Sequence, residues 1–186
     1  MDTGEFTRRV IEEKITAMGD YVKINYLSNC LKKSLDFDTR KFVLTTLSKL
    51  YEDRKMFNAA GKMLSFAADI NTTFNGKISD FLNSTELFIK GGSYDEADLA
   101  FKKATSIANI SQKTELKKRV KEIYQIQAKE HLKKDRRKNA AEVYERLLTV
   151  DLDPQEKDEI KAKLIVLYES LGKIREFYSM RRSLGL

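Results

Sequence analysis

The chain has 186 residues, enough for one ordinary domain or one short repeat array with a sizeable core, and short for two domains. One proline and eight glycines among plentiful Lys, Glu, Leu and Ala exclude a sheet-rich or loop-rich protein and leave an all-helical one. The net charge of +7 is local: Lys113 to Lys138 holds eleven Lys/Arg against four Asp/Glu, and the rest of the chain is balanced at twenty-four of each.

The lone cysteine, Cys30, rules out an internal disulfide, and with the lone histidine, His131, it cannot furnish a Cys/His zinc site. No run of about 18 or more apolar residues is present, and Met1 to Glu5 lacks the basic-then-apolar order of a secretory signal. The expectation is a cytoplasmic protein with no metal and no cofactor.

Taken in order, apolar residues first recur at helical spacing at Phe6, Val10, Ile11, Ile15 and Met18. Gly19 and Asp20 break the pattern, with Asp20 as the expected cap of a second helix that runs to about Leu35 through Ile24, Leu27 and Leu31. After a new cap within residues 36–39, Val43, Leu44, Leu47, Leu50 and Tyr51 predict a helix to about Asp53. Ala59, Ala60, Met63, Leu64, Ala67 and Ala68 predict its partner across the turn at 54–58. Lys77 to Lys90 forms the next helix, and Gly91-Gly92-Ser93 turns the chain into a helix that reaches about Asn109.

A polar linker at 109–114 precedes a long basic helix expected from Glu115 to about Lys133, with a turn at 134–138 and a partner helix carrying Ala140, Val143, Tyr144 and Leu147. Asp151 to Pro154 reads as a stop and a restart, with proline near the first helical position. Ile160, Leu164, Leu167 and Tyr168 mark a ninth helix, Gly172 the turn, and Ile174 to Leu184 a short tenth.

Aligning the pairs on the small residue near the start of each second helix gives recurring positions at offsets 0, +4, +7, +16, +20 and +23. The best sets are Leu44, Ser48, Tyr51, Ala60, Leu64, Ala67; then Phe81, Thr85, Phe88, Ala97, Phe101, Ala104; then Tyr124, Ala128, His131, Ala140, Tyr144, Leu147. Large, small, aromatic, small, aromatic or Leu, small resembles the tetratricopeptide repeat, and Gly92-Ser93-Tyr94-Asp95-Glu96-Ala97 is similar to that family's inter-helix turn. The resemblance implies an all-α, right-handed α-solenoid of about ten helices forming one domain over 1–186, with hairpins at approximately 5–35, 38–70, 77–109, 115–150 and 155–185. Successive spacings of 36, 37, 43 and 37 residues exceed the family's usual period of about 34. The longest step falls at the 109–114 linker.

The resemblance also implies a function, because such arrays bind extended peptides or helices along the face made by their first helices. It nominates Phe42, Lys49, Leu82, Glu86, Ile89, Gln125, Lys129 and Lys133 for partner binding, as an apolar groove at Phe42, Leu82 and Ile89 with a basic end at Lys129 and Lys133. The lysine and asparagine set by which some members clamp a terminal carboxylate is not reproduced, since Lys49 is followed by Leu82 and Glu86. Arg136 and Arg137 join the candidates from the basic run itself.

His131 stands where a packing aromatic is expected, with no orienting carboxylate and nucleophile arranged beside it. Gly91-Gly92 lacks the spacing and lysine of a phosphate loop. The expectation is therefore a noncatalytic adaptor or scaffold, with no small-molecule substrate, that binds an acidic, amphipathic segment of another protein. Nucleic acid or an anionic membrane is the second choice for the basic run, because aromatic stacking platforms are not interleaved with it. Phe177, Tyr178 and Met180 make the last helix a candidate surface for self-association.

Overall fold

The computed structural model describes residues 6–185. Ten helices follow one another: α1 (Arg8–Thr16), α2 (Asp20–Cys30), α3 (Phe37–Asp53), α4 (Phe57–Ile70), α5 (Phe74–Lys90), α6 (Tyr94–Ile107), α7 (Ile110–Lys133), α8 (Arg137–Leu147), α9 (Pro154–Ser170) and α10 (Ile174–Ser183). No strand occurs among the described residues. The all-α architecture of helices in adjacent pairs is the one expected from the periodicity. The chain divides into two compact units, 1–112 and 113–186, and the division falls in the first turn of α7, where the repeat spacing is longest.

One turn geometry recurs four times, between α3 and α4, α5 and α6, α7 and α8, and α9 and α10. Each first helix ends with a residue in the left-handed region: Lys55 (φ 59°), Gly92 (φ 74°), Asp135 (φ 51°) and Gly172 (φ 66°). The next amide donates back to the carbonyl five residues earlier, Met56 to Tyr51 (2.8 Å), Ser93 to Phe88 (2.9 Å), Arg136 to His131 (2.9 Å) and Lys173 to Tyr168 (2.9 Å). This double-bonded helix stop satisfies carbonyls that the helix itself cannot. Met56, Ser93, Arg136 and Lys173 then serve as the N-caps of α4, α6, α8 and α10, so each turn leads straight into the next helix. Three of their acceptors, Tyr51, Phe88 and His131, are the residues at the +7 position of the sequence register.

Within the first unit, α3, α4, α5 and α6 pack in succession, and α1 and α2 both lie against α3. Ile11, Leu27, Cys30, Val43 and Leu47 form one buried cluster at the α1–α3 end. Asp36 caps α3 by accepting from the Thr39 amide (2.9 Å), and the Thr39 hydroxyl in turn accepts from the Arg8 amide (3.1 Å), which fastens the start of α1 to α3. Further along, small residues let helices approach. The buried Gly61 lies so near the Phe88 ring that an added Cβ would come within 3.0 Å of it. Ser48 donates to the Ala60 carbonyl (2.9 Å) and Ser84 to the Gly61 carbonyl (2.8 Å), so the close helix contacts also satisfy buried hydroxyls.

In the second unit, α9 packs on both α8 and α10. Buried Val120, Tyr124 and Ala128 of α7, Ala140, Val143 and Leu147 of α8, and Leu164 and Tyr168 of α9 supply its apolar interior. α9 begins at Pro154 with Asp153 and Glu156 in a reciprocal capping box, and the Tyr168 hydroxyl donates to Glu145 of α8 (2.9 Å).

Several helix ends differ from the sequence-based expectation. α2 is capped by Gly19 and stops at Cys30, short of Leu35; Asp20 sits in its first turn and pairs with Arg54 (3.4 Å). α5 starts at Phe74, because the Thr73 hydroxyl caps the Gly76 amide (3.2 Å). α7 absorbs most of the expected linker and starts at Ile110. Asn109 and Gln112 exchange amide–side-chain hydrogen bonds (2.8 and 3.0 Å), a capping box written in polar residues that read as loop.

Candidate functional site

The first unit carries an open groove of about 480 Å³ between α3 and α5. Thr45, Ser48, Lys49 and Glu52 line it from α3, and Asp80, Asn83, Glu86, Leu87 and Lys90 from α5, with Leu64 of α4 at its floor. Steps of three and four residues place each set along one helix face, so two parallel rows of side chains border the groove. Its chemistry is polar and mixed in charge. Lys90 bridges Glu86 (2.9 Å) and Glu52 (3.6 Å) across the two helices, and Asp80 accepts from the buried Asn71 amide (2.8 Å). Burial alone would push the Lys90 ammonium down, but the two carboxylates outweigh it and hold its pKa above the ordinary lysine value.

The expected residues fall into three groups. Lys49 and Glu86 line the groove. Ile89 does not: it is 0% exposed and belongs to the core of α5, so it offers a partner nothing. Phe42 is half-buried against the cluster of Ile11 and Val43, with the Arg8 guanidinium over its ring at 5.0 Å, and Leu82 is half-buried. The groove expected to be apolar is thus polar, because the large side chains of α3 and α5 turn inward and the hydrophilic ones are left to border it. Asp80, Asn83 and Lys90 were missed for the same reason. Their period of three and four is legible, but polar residues at that period read as a solvated face.

The remaining candidates lie on the second unit. Gln125 is half-buried on α7, and Lys129, Lys133, Arg136 and Arg137 are exposed along the end of α7, the turn and the start of α8. Much of the basic run is internally paired. Lys117 binds Asp151 (2.6 Å), Lys121 binds Glu156 (2.7 Å), Lys133 and Lys134 share Glu130 (3.4 and 3.6 Å), and Arg137 binds Asp135 (2.9 Å). Among the described residues, Lys118, Lys129, Arg136 and Lys138 keep no such carboxylate partner. The nearby His131 ring contacts Gln127 (3.1 Å); burial, then the charges of Arg136 and Lys134, lower its pKa.

No family model matches the chain, and no curated protein does. Among solved structures, the crystal structure of BtubC (BKLC) from P. vanneervenii is similar at 14% identity and a TM-score of 0.38, over 92% of this chain and 74% of that one. A likeness this distant assigns neither family nor function.

Proposed function

We propose that this protein is a noncatalytic adaptor or scaffold of tetratricopeptide-like helical hairpins, and that it binds an extended or helical segment of another protein in the groove between α3 and α5. The observation that carries this reading is the pair of polar side-chain rows along that groove. Two cations and three carboxylates (Lys49 and Lys90; Glu52, Asp80 and Glu86) can hydrogen-bond a peptide's backbone and side chains along its length without a catalytic constellation. Acidic side chains of the partner find Lys49 there.

The test is selection of peptides from a displayed random library on the intact protein, then titration of the selected peptides against wild type and Asn83→Trp, which fills the groove from its exposed rim. Binding weakened about tenfold or more is expected, since affinity is lost when a contact row is blocked. Equal affinity for the two proteins removes the groove from the function. A second reading rests on the uncompensated Lys118, Lys129, Arg136 and Lys138: the same surface takes nucleic acid or an anionic membrane. Binding to an RNA duplex or phosphatidylserine vesicles that falls steeply with salt supports it, and no binding at low salt ends it.

A further inference from the structure

The helix register singles out one side chain of the α3–α5 groove. The residue just before the first repeating position (Leu44, Phe81, Tyr124) is Val43 in α3, 0% exposed, and Ile123 in α7, 5% exposed. In α5 the same place is held by Asp80, half-buried and lining the groove. A position that elsewhere in the chain is apolar and buried here carries a carboxylate. Taking a carboxylate partly out of water costs free energy unless hydrogen bonds and a cation compensate it.

The three carboxylates of the groove are compensated unequally. Glu86 and Glu52 share the Lys90 ammonium, at 2.9 and 3.6 Å. Asp80 accepts at Oδ2 from the side-chain amide of the buried Asn71 (2.8 Å), and among the described residues no cation pairs with it. Asn71 is itself held, its Oδ1 accepting from the Thr73 amide at 3.2 Å, so the carboxylate is anchored through one oxygen. Two further acceptors border the groove with it. Asn83 is exposed three residues on along the same face of α5. From α3 comes Thr45, whose hydroxyl donates to the carbonyls of Lys41 and Phe42 (3.0 Å each) and keeps lone pairs that can accept.

We infer, building on the peptide-binding reading of this groove, that Asp80 selects the partner segment by an arginine. Its guanidinium pairs with the second carboxylate oxygen of Asp80 and donates further N–H groups to the Asn83 amide oxygen and the Thr45 hydroxyl. A planar fork of five donors suits acceptors contributed by two helices, whereas an ammonium offers three donors from one point. The arginine also brings the counter-charge that Asp80 lacks within the chain. The segment is therefore of mixed charge, with arginine at Asp80 and its carboxylates free to meet Lys49.

The experiment uses peptides selected from a displayed random library on the intact protein, keeping those whose binding Asn83→Trp weakens. Each is titrated, with its basic residue intact and with that residue replaced by citrulline or glutamine, against wild type and Asp80→Asn, which removes the charge and keeps an acceptor for Asn71. The expected result is a shared arginine whose replacement by citrulline weakens binding to wild type at least about tenfold and binding to Asp80→Asn hardly at all. Groove-binding peptides without a shared arginine, or an equal citrulline penalty in the two proteins, overturn the inference and leave the groove as the binding site. A purely structural Asp80 gives that second outcome, since its loss weakens both forms of the peptide alike. A library that yields no peptide weakened by Asn83→Trp removes the groove and the inference together. Circular dichroism and thermal unfolding of Asp80→Asn, matched to wild type, show that the fold is kept.

Discussion

Asp36 shows how much can rest on one polar side chain. It accepts from the Thr39 amide and hydroxyl, and those hydrogen bonds hold its carboxyl below the ordinary carboxylate range. Thr39 is buried and also anchors Arg8, so removing the cap loosens α1 as well as α3. Asp36→Ala is expected to cost about 1–2 kcal/mol, read as a lower denaturant midpoint, and Asp36→Asn to keep most of it, because asparagine also caps well. His131 makes a pH-dependent contribution of the same sense, at higher pH. Its folded pKa lies below the ordinary 6.5, so the unfolded chain takes up the proton first. Stability is whole above that value and falls as the pH drops from 6.5 toward the lowered folded pKa. His131→Phe, which keeps an aromatic at the +7 position, is expected to flatten this part of the Tm-against-pH curve. An unaltered slope would show that other groups cause it.

At the scale of the element, the helix-stopping turn is the unit that repeats. Two of its four left-handed positions are glycine, where the conformation costs nothing; Lys55 and Asp135 occupy the other two at an expense of about 1 kcal/mol each. Lys55→Gly is therefore expected to stabilise the fold by up to about 1 kcal/mol, read as a higher denaturant midpoint. Asp135→Gly gains less, since it gives up the contact with Arg137. Gly92→Ala should lose about 1 kcal/mol by the same argument. Glycine made the turns at 92 and 172 legible in the sequence, whereas at 55 and 135 nothing but helical spacing on either side marked them. Caps behaved similarly. Asp153-Pro154 announces a helix start, while Asn109 and Gln112 form an equally good one from residues that resemble a linker.

For the whole molecule, stability is spread unevenly over the helices. α5 buries seven residues, among them Phe81, Leu87, Phe88 and Ile89, and α10 buries none. Native-state hydrogen exchange is expected to find the slowest amides in α5 and the fastest helical ones in α10, since opening α10 exposes little apolar area. Comparable protection in the two would mean that α10 is covered in solution by something besides α9, and self-association would then be the first thing to measure. The charge is uneven as well. Residues 113–186 hold nineteen Lys/Arg against thirteen Asp/Glu, so the excess belongs almost wholly to the second unit. There the salt-sensitive behaviour of the protein should originate.

The sequence by itself determined the helices, their pairing and most of the core, because burial follows a 3.6-residue period that depends only on which residues are apolar. It also located the basic run. Tertiary structure alone decided which of those charges are spent internally, since Lys117 with Asp151 and Lys121 with Glu156 are more than thirty residues apart along the chain. It likewise moved Ile89 from a supposed groove into the core and replaced an apolar groove by a polar one. Helical spacing says which residues share a face, but only the packing of neighbouring helices says which face is left open.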